Sequence, residues 1–145
     1  MSQYFDLGEE TLWNPSNGPS RLFLRQVALF EEELGLPSGI GPMENDECQI
    51  DASTFEVFVK ALVERHRRTQ HPIVSALSEN FAAMALVLAQ RAGIQVNWTS
   101  SALPNEDRVD VQVPARTDAS GQADGEARVA RLREKSHDLS RFMAR

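Results

Sequence analysis

Apolar residues recur at helical spacing in three long stretches of this chain. In the first, Leu22, Phe23, Val27, Phe30 and Leu34 share a face, which predicts a helix from about Asn17-Gly18-Pro19 to Gly35. Proline suits an early helical position because its missing N–H leaves no bond unmade there, and glycine suits the end because it adopts left-handed backbone freely. The second stretch sets Phe55, Phe58, Val59, Leu62 and Val63 on one stripe behind Asp51, a good N-cap, and continues to about Arg68. The third begins at Pro72 and ends at Gly93, with Ile73, Leu77, Phe81, Met84, Ala85 and Leu88 expected to face inward. Three amphipathic helices of this kind bury their stripes against one another.

The period then changes. Ile94, Val96 and Trp98 alternate with polar residues, as do Val109, Val111 and Val113. Alternation is the mark of a half-buried strand, so the two runs predict a hairpin joined through Pro104-Asn105-Glu106-Asp107. Tyr4 to Leu7 and Thr11 to Trp13 each read as a short strand near the N-terminus, and Trp13 and Trp98 read as core residues closing element ends. Residues 115–125 are small, polar and glycine-containing, as a flexible linker is. Beyond them Val129, Leu132, Ser136, Leu139 and Met143 step by three and four, the seam of one more amphipathic helix. The expected architecture is helix-rich α+β: three packed helices and a small antiparallel sheet in one domain over residues 1–114. A linker over 115–125 and a loosely attached C-terminal helix over 126–145 complete it.

Composition narrows the setting. A chain of 145 residues with a 41% hydrophobic and 25% charged share can bury a core without disulfides or metal. The N-terminal residues show no basic region followed by an apolar run, and the longest apolar run, Phe81 to Ala89, is about half what a bilayer crossing needs. With its single cysteine, the chain reads as cytoplasmic and not membrane-bound. Residues 1–125 carry nine basic and eighteen acidic side chains, whereas residues 126–145 carry six basic and three acidic. An acidic body makes nucleic acid an unlikely ligand, because neutralising phosphates with Lys and Arg supplies most non-specific affinity. It suits a basic protein partner or self-association.

Candidate chemistry concentrates between Gly39 and Asp51, which hold Cys48 and the carboxylates of Glu44, Asp46, Glu47 and Asp51. The EF-hand template fails there: with Ile50 at its eighth position, Met43, Cys48 and Thr54 fall where carboxylate, glycine and glutamate are required. Cys48, His66 and His71 lack the paired spacing of a zinc site, so no metal and no cofactor are expected. As catalytic residues these three are weak candidates; Cys48, just before a helix N-terminus, is the best placed for thiolate chemistry. Arg65, Arg67 and Arg68 form a weak candidate anion-binding patch, although cations at a helix C-terminus already complement its dipole.

The runs Leu12-Trp-Asn-Pro-Ser-Asn-Gly18, Arg21-Leu-Phe-Leu-Arg-Gln-Val-Ala28 and Leu36-Pro-Ser-Gly-Ile-Gly-Pro-Met-Glu-Asn-Asp-Glu-Cys-Gln-Ile-Asp51 carry a resemblance. Over about residues 1–97 the chain resembles a family of short actinobacterial proteins known only as a domain of unknown function. Thirteen arginines against two lysines suit such a GC-rich source. The resemblance implies no activity, cofactor or catalytic residue. The residues themselves favour a non-enzymatic interaction or regulatory protein, binding through Glu44, Asp46 and Glu47 or through Leu132, Leu139 and Met143 of the tail helix. The alternative is a small enzyme or ligand-binding protein using the Glu44–Asp51 loop with Cys48.

Overall fold

A computed structural model describes residues 1–96 and 118–145. The chain runs β1 (Tyr4–Leu7), β2 (Glu10–Trp13), α1 (Asn17–Leu34), β3 (Glu47–Gln49), α2 (Ala52–Arg68), α3 (Pro72–Arg91) and α4 (Asp118–Ser140). It is a helix-rich α+β fold, with α1–α3 packed together beside a three-stranded sheet. The strand order is β2-β1-β3, β1 pairing antiparallel with β2 and parallel with β3. The small sheet is therefore mixed, not purely antiparallel, because its third strand comes from the Gly39–Asp51 connector and enters β1's free edge in the same direction. Ile94 and Val96 are half-buried against the core but lie outside any strand. The rest of the expected hairpin, with Trp98, Pro104-Asn105-Glu106-Asp107 and Val109 to Val113, lies outside the described residues.

The helix ends follow their local chemistry. Gly35 closes α1 at φ 64, with Leu36 N–H bonded to the Glu31 carbonyl at 3.2 Å and Gly35 N–H to that of Glu32 at 3.3 Å. This paired closure satisfies carbonyls that would otherwise be left open. Asp51 caps α2 by accepting from Thr54 N–H at 2.8 Å. His71 caps α3, its Nδ1 accepting from Ile73 and Val74 N–H at 3.2 and 3.4 Å.

Aromatic rings tie α1 to the sheet and to α3. Phe23 meets Phe5, Trp13 and Phe81 with centroids 5.7, 5.3 and 5.5 Å apart, and Phe30 stacks on Phe81 at 4.5 Å. Trp13 is thus a core residue, as its sequence position suggests. Within α3, Phe81 to Ala83 and Ala85 to Ala89 are all buried, and four of these are alanines that let α2 and α4 approach closely. Among the described residues α3 alone is long and apolar enough to cross a membrane. A helix packed on several sides inside a core meets the same test.

Three expected inward residues face outward: Leu22 is 60%, Ile73 60% and Leu77 77% exposed. Leu22 lies off the Phe23, Val27 and Phe30 stripe of α1, whereas Ile73 and Leu77 precede the buried stretch of α3, which begins at Ser78.

The C-terminal helix corrects two expectations. It begins at Asp118, so residues 118–125 belong to it and not to a linker. Nor is it loosely attached. Val129, Leu132 and Ser136 are buried against α2 and α3, Leu132 is fully enclosed, and Met143 is buried beyond the helix end at Ser140. Glu79 of α3 pairs with Arg131 at 3.0 Å and Lys135 at 3.8 Å, and Arg128 donates to the Arg67 carbonyl at 3.0 Å. Gly125 sits so close that a Cβ there would lie 3.1 Å from that same carbonyl.

Candidate functional site

The segment from Gly39 to Asp51 folds back on itself as a miniature hairpin. Asp51 N–H donates to the Gly39 carbonyl at 2.8 Å, Gly41 N–H to that of Gln49 at 2.9 Å, and Ile40 bridges Ile50. At its tip Glu44 and Glu47 exchange both backbone bonds at 2.9 Å around Asn45 and Asp46, whose φ angles are 52 and 66. Positive φ at both central positions is the signature of a type I′ turn, and Asn and Asp tolerate it better than other non-glycine residues. The base is equally constrained. Gly39 has φ 76, and a Cβ there would lie 2.8 Å from both the Asp51 carbonyl and the Phe55 nitrogen. Only glycine fits so close to the start of α2.

The turn is also anchored from outside. Tyr4 N–H donates to the Asp46 carbonyl at 2.8 Å, and Gln3 Nε2 donates to Asp46 Oδ1 at 3.3 Å. With its backbone pinned, the turn holds the exposed side chains of Glu44 and Glu47 at fixed positions, while Asp46 is half-buried. The four acids do not converge. Asp51 points into α2, where hydrogen bonds from the Thr54 side chain and N–H, then the Ser53 hydroxyl, hold its carboxyl down at about 2. Among the described residues no group of three His, Cys, Asp or Glu side chains could hold a metal ion.

Cys48 is fully buried on β3, opposite Phe5 of β1. Its Sγ–H donates to the Gly41 carbonyl at 2.9 Å. Burial first, and the nearby Asp6 carboxylate second, push the thiol up to about 11. That is the reverse of an activated thiol, which needs cationic or helix N-terminal stabilisation of its anion. The helix that Cys48 precedes is capped by Asp51 instead.

The histidines are separated and differently employed. His66 is buried where α2, α3 and α4 meet, its Nδ1 3.2 Å from Ser78 Oγ. Ser78 gives its own proton to the Val74 carbonyl at 2.8 Å, so His66 is the donor to it. Burial pushes the imidazole below its ordinary value; Glu79 opposes this, and Arg128 and Arg131 add to it. His71 is the α3 cap, its Nδ1 lone pair already used.

The arginines at the end of α2 are likewise engaged in the fold. Arg65 pairs with Glu33 of α1 at 3.0 Å, and Arg67 and Arg68 pair with Glu64 at 2.5 and 3.8 Å. Arg67 is itself buried. They brace helices and do not form an open anion patch. Leu132 and Met143, expected to meet a partner, are enclosed by the protein's own core, and Leu139 is half-buried against it.

Two features escape a reading of the sequence. Arg91 donates to the carbonyls of Leu12, Ser140 and Met143 at 2.6, 3.1 and 2.7 Å, clasping both chain ends. Its only sequence signal is a cation in a last helical turn. Beside the acidic turn, an open groove of about 500 Å³ has an apolar floor of Leu24, Ala28 and Met43, with Arg21 and Arg25 on its rim.

A family model described as a family of unknown function, DUF6086, matches residues 1–145. No curated protein and no solved structure matches the chain. The match spans the whole sequence, including the tail helix that the structure packs into the core, and the chain therefore belongs to the DUF6086 family of unknown function.

Proposed function

We propose that this chain is a non-enzymatic, cytoplasmic interaction or regulatory protein that engages a basic protein surface through the turn Glu44–Glu47. The observation that carries the reading is the construction of that turn. Two exposed carboxylates stand on backbone fixed by reciprocal bonds and by a second anchor at Tyr4. Rigid display lowers the ordering cost of binding, and charge complementarity speeds encounter and selects partners. The net charge of −6 supports a basic partner over nucleic acid or an anionic membrane. The preference for arginine over lysine supports an actinobacterial source. The alternative, an enzyme or ligand-binding protein built on Cys48, draws little support from a thiol that is buried and pushed up to about 11.

The test is affinity capture from native lysate with wild-type protein and a Glu44→Gln/Glu47→Gln variant in parallel. The expected result is a stoichiometric protein rich in Lys and Arg, held by wild type at low salt, released by raised salt and absent from the variant. Equal recovery on both baits, or no specific partner on either, would count against the proposal.

A further inference from the structure

We propose that the outward face of α1 is a self-association surface, on which two copies of the chain pair their α1 helices antiparallel about a two-fold axis. The idea rests on reading the chain as an interaction protein, but it uses side chains of α1 and not the carboxylates of Glu44 and Glu47, so either can fail alone.

Leu22, Arg25, Leu29 and Glu32 are spaced by three, four and three residues, which aligns them along one side of the helix. Arg21 and Ala28 flank them, and all six are exposed. Leu22 and Leu29 are 60% and 53% exposed, large aliphatic side chains that the fold leaves uncovered. The buried side of the same helix, Phe23, Val27 and Phe30, is fully used by the core. Thus α1 carries, besides its buried stripe, two leucines on its outer face that its own domain does not employ.

Its charges run the wrong way for an isolated helix. A helix favours acids near its N-terminus and bases near its C-terminus. Here the first turn has no acid and the last turn no base. Arg21 and Arg25, like charges one turn apart, occupy the first half, and Glu31, Glu32 and Glu33 occupy the end. Glu31 is used by Ser38 and Glu33 by Arg65. No ion pair involves Arg21, Arg25 or Glu32 among the described residues. No described residue therefore gives Arg21 or Glu32 an opposite charge.

An antiparallel second copy does. A two-fold axis between Gln26 and Val27 brings Arg21 of each copy alongside Glu32 of the other, and makes that contact twice. The same register lays Leu29 of one copy against the aliphatic stem of Arg25 in the other and shields both leucines from water. A two-fold interface must be complementary to itself. A face with Arg21 at one end, Glu32 at the other, and Leu22, Arg25 and Leu29 between meets that condition only when antiparallel.

Sedimentation velocity of the full chain from micromolar to millimolar concentration tests this, with circular dichroism confirming that each variant is folded. Wild type is expected to show a reversible monomer–dimer equilibrium. Arg21→Glu and Glu32→Arg are each expected to weaken it on the order of tenfold or more, and Leu29→Asp to abolish it. The double variant Arg21→Glu/Glu32→Arg, which restores opposite charges across the two-fold, should recover the dimer. A chain that stays monomeric throughout overturns the proposal. So does a dimer indifferent to Leu29→Asp, or single-variant losses that the double variant does not reverse.

Discussion

At the scale of single residues, Cys48 lies fully buried on β3 with its Sγ–H on the Gly41 carbonyl at 2.9 Å. Cys48 was legible as a lone thiol near a helix start, but its burial was not, because nothing in the local pattern marks Glu47–Gln49 as a strand entering β1's edge. Its reactivity is predicted to be low: alkylation of native protein should stay slow at pH 8.5 and accelerate only as pH approaches about 11, whereas unfolded protein reacts at ordinary rates. Fast labelling of native protein at neutral pH would contradict the buried placement. Gly39 shows the complementary case, a residue whose importance is purely geometric. Gly39→Ala combines a positive φ with a 2.8 Å approach to backbone, and should cost more than about 1 kcal/mol in a denaturant titration. Asn45 and Asp46 are of types that favour turns, yet neither was singled out in the sequence as one, and the type I′ geometry needs the backbone angles to identify.

Among the elements, the three long helices were readable because their caps and apolar spacing agree: Pro at the start of α3, Asp51 before α2, Gly35 after α1. What spacing does not contain is how much of a face, around the helix or along it, a neighbour covers. Leu22, Ile73 and Leu77 fit the helical period and still lie outside the contact. The tail helix failed for a related reason. Its seam was correct from Val129 to Leu139, with Met143 falling beyond the helix end at Ser140, but a weakly apolar, charge-rich helix looks detachable until Glu79, Arg67 and Arg91 are seen to receive it. Leu132→Ala should therefore act as a core truncation, costing about 2–5 kcal/mol, and not as a surface change, which is usually within about 0.5 kcal/mol. Chemical denaturation distinguishes the two. Arg91→Ala removes three bonds to carbonyls of β2 and the C-terminal segment, and should raise hydrogen exchange in residues 140–145 before it affects α2.

For the whole molecule, the chain closes on itself. Asn14 N–H bonds to the Ala144 carbonyl at 2.8 Å, Arg145 pairs with Glu10 at 3.3 Å, and Arg91 holds both ends from within. This makes α4 part of the cooperative unit, and it makes His66 a reporter of that unit. His66 is kept neutral in the fold by burial, with Arg128 and Arg131 close by, so its folded value lies below its ordinary one near 6.5. Below that pH the unfolded chain takes up a proton that the folded chain resists. Its contribution is thus fully present above about pH 6.5 and is lost as pH falls further. His66→Asn should flatten this part of the stability profile, read from thermal midpoints between pH 7.5 and pH 5.

The tail helix belongs to the core, and the proposed partner surfaces are therefore the acidic turn and the outer face of α1. Native-state hydrogen exchange resolved along the chain tests it most directly. Amides of residues 126–140 are expected to be protected to nearly the same free energy as those of α2, and to lose protection together with them in denaturant. Exchange of residues 126–140 at the rate of a free peptide, while α2 and α3 remain protected, would contradict it.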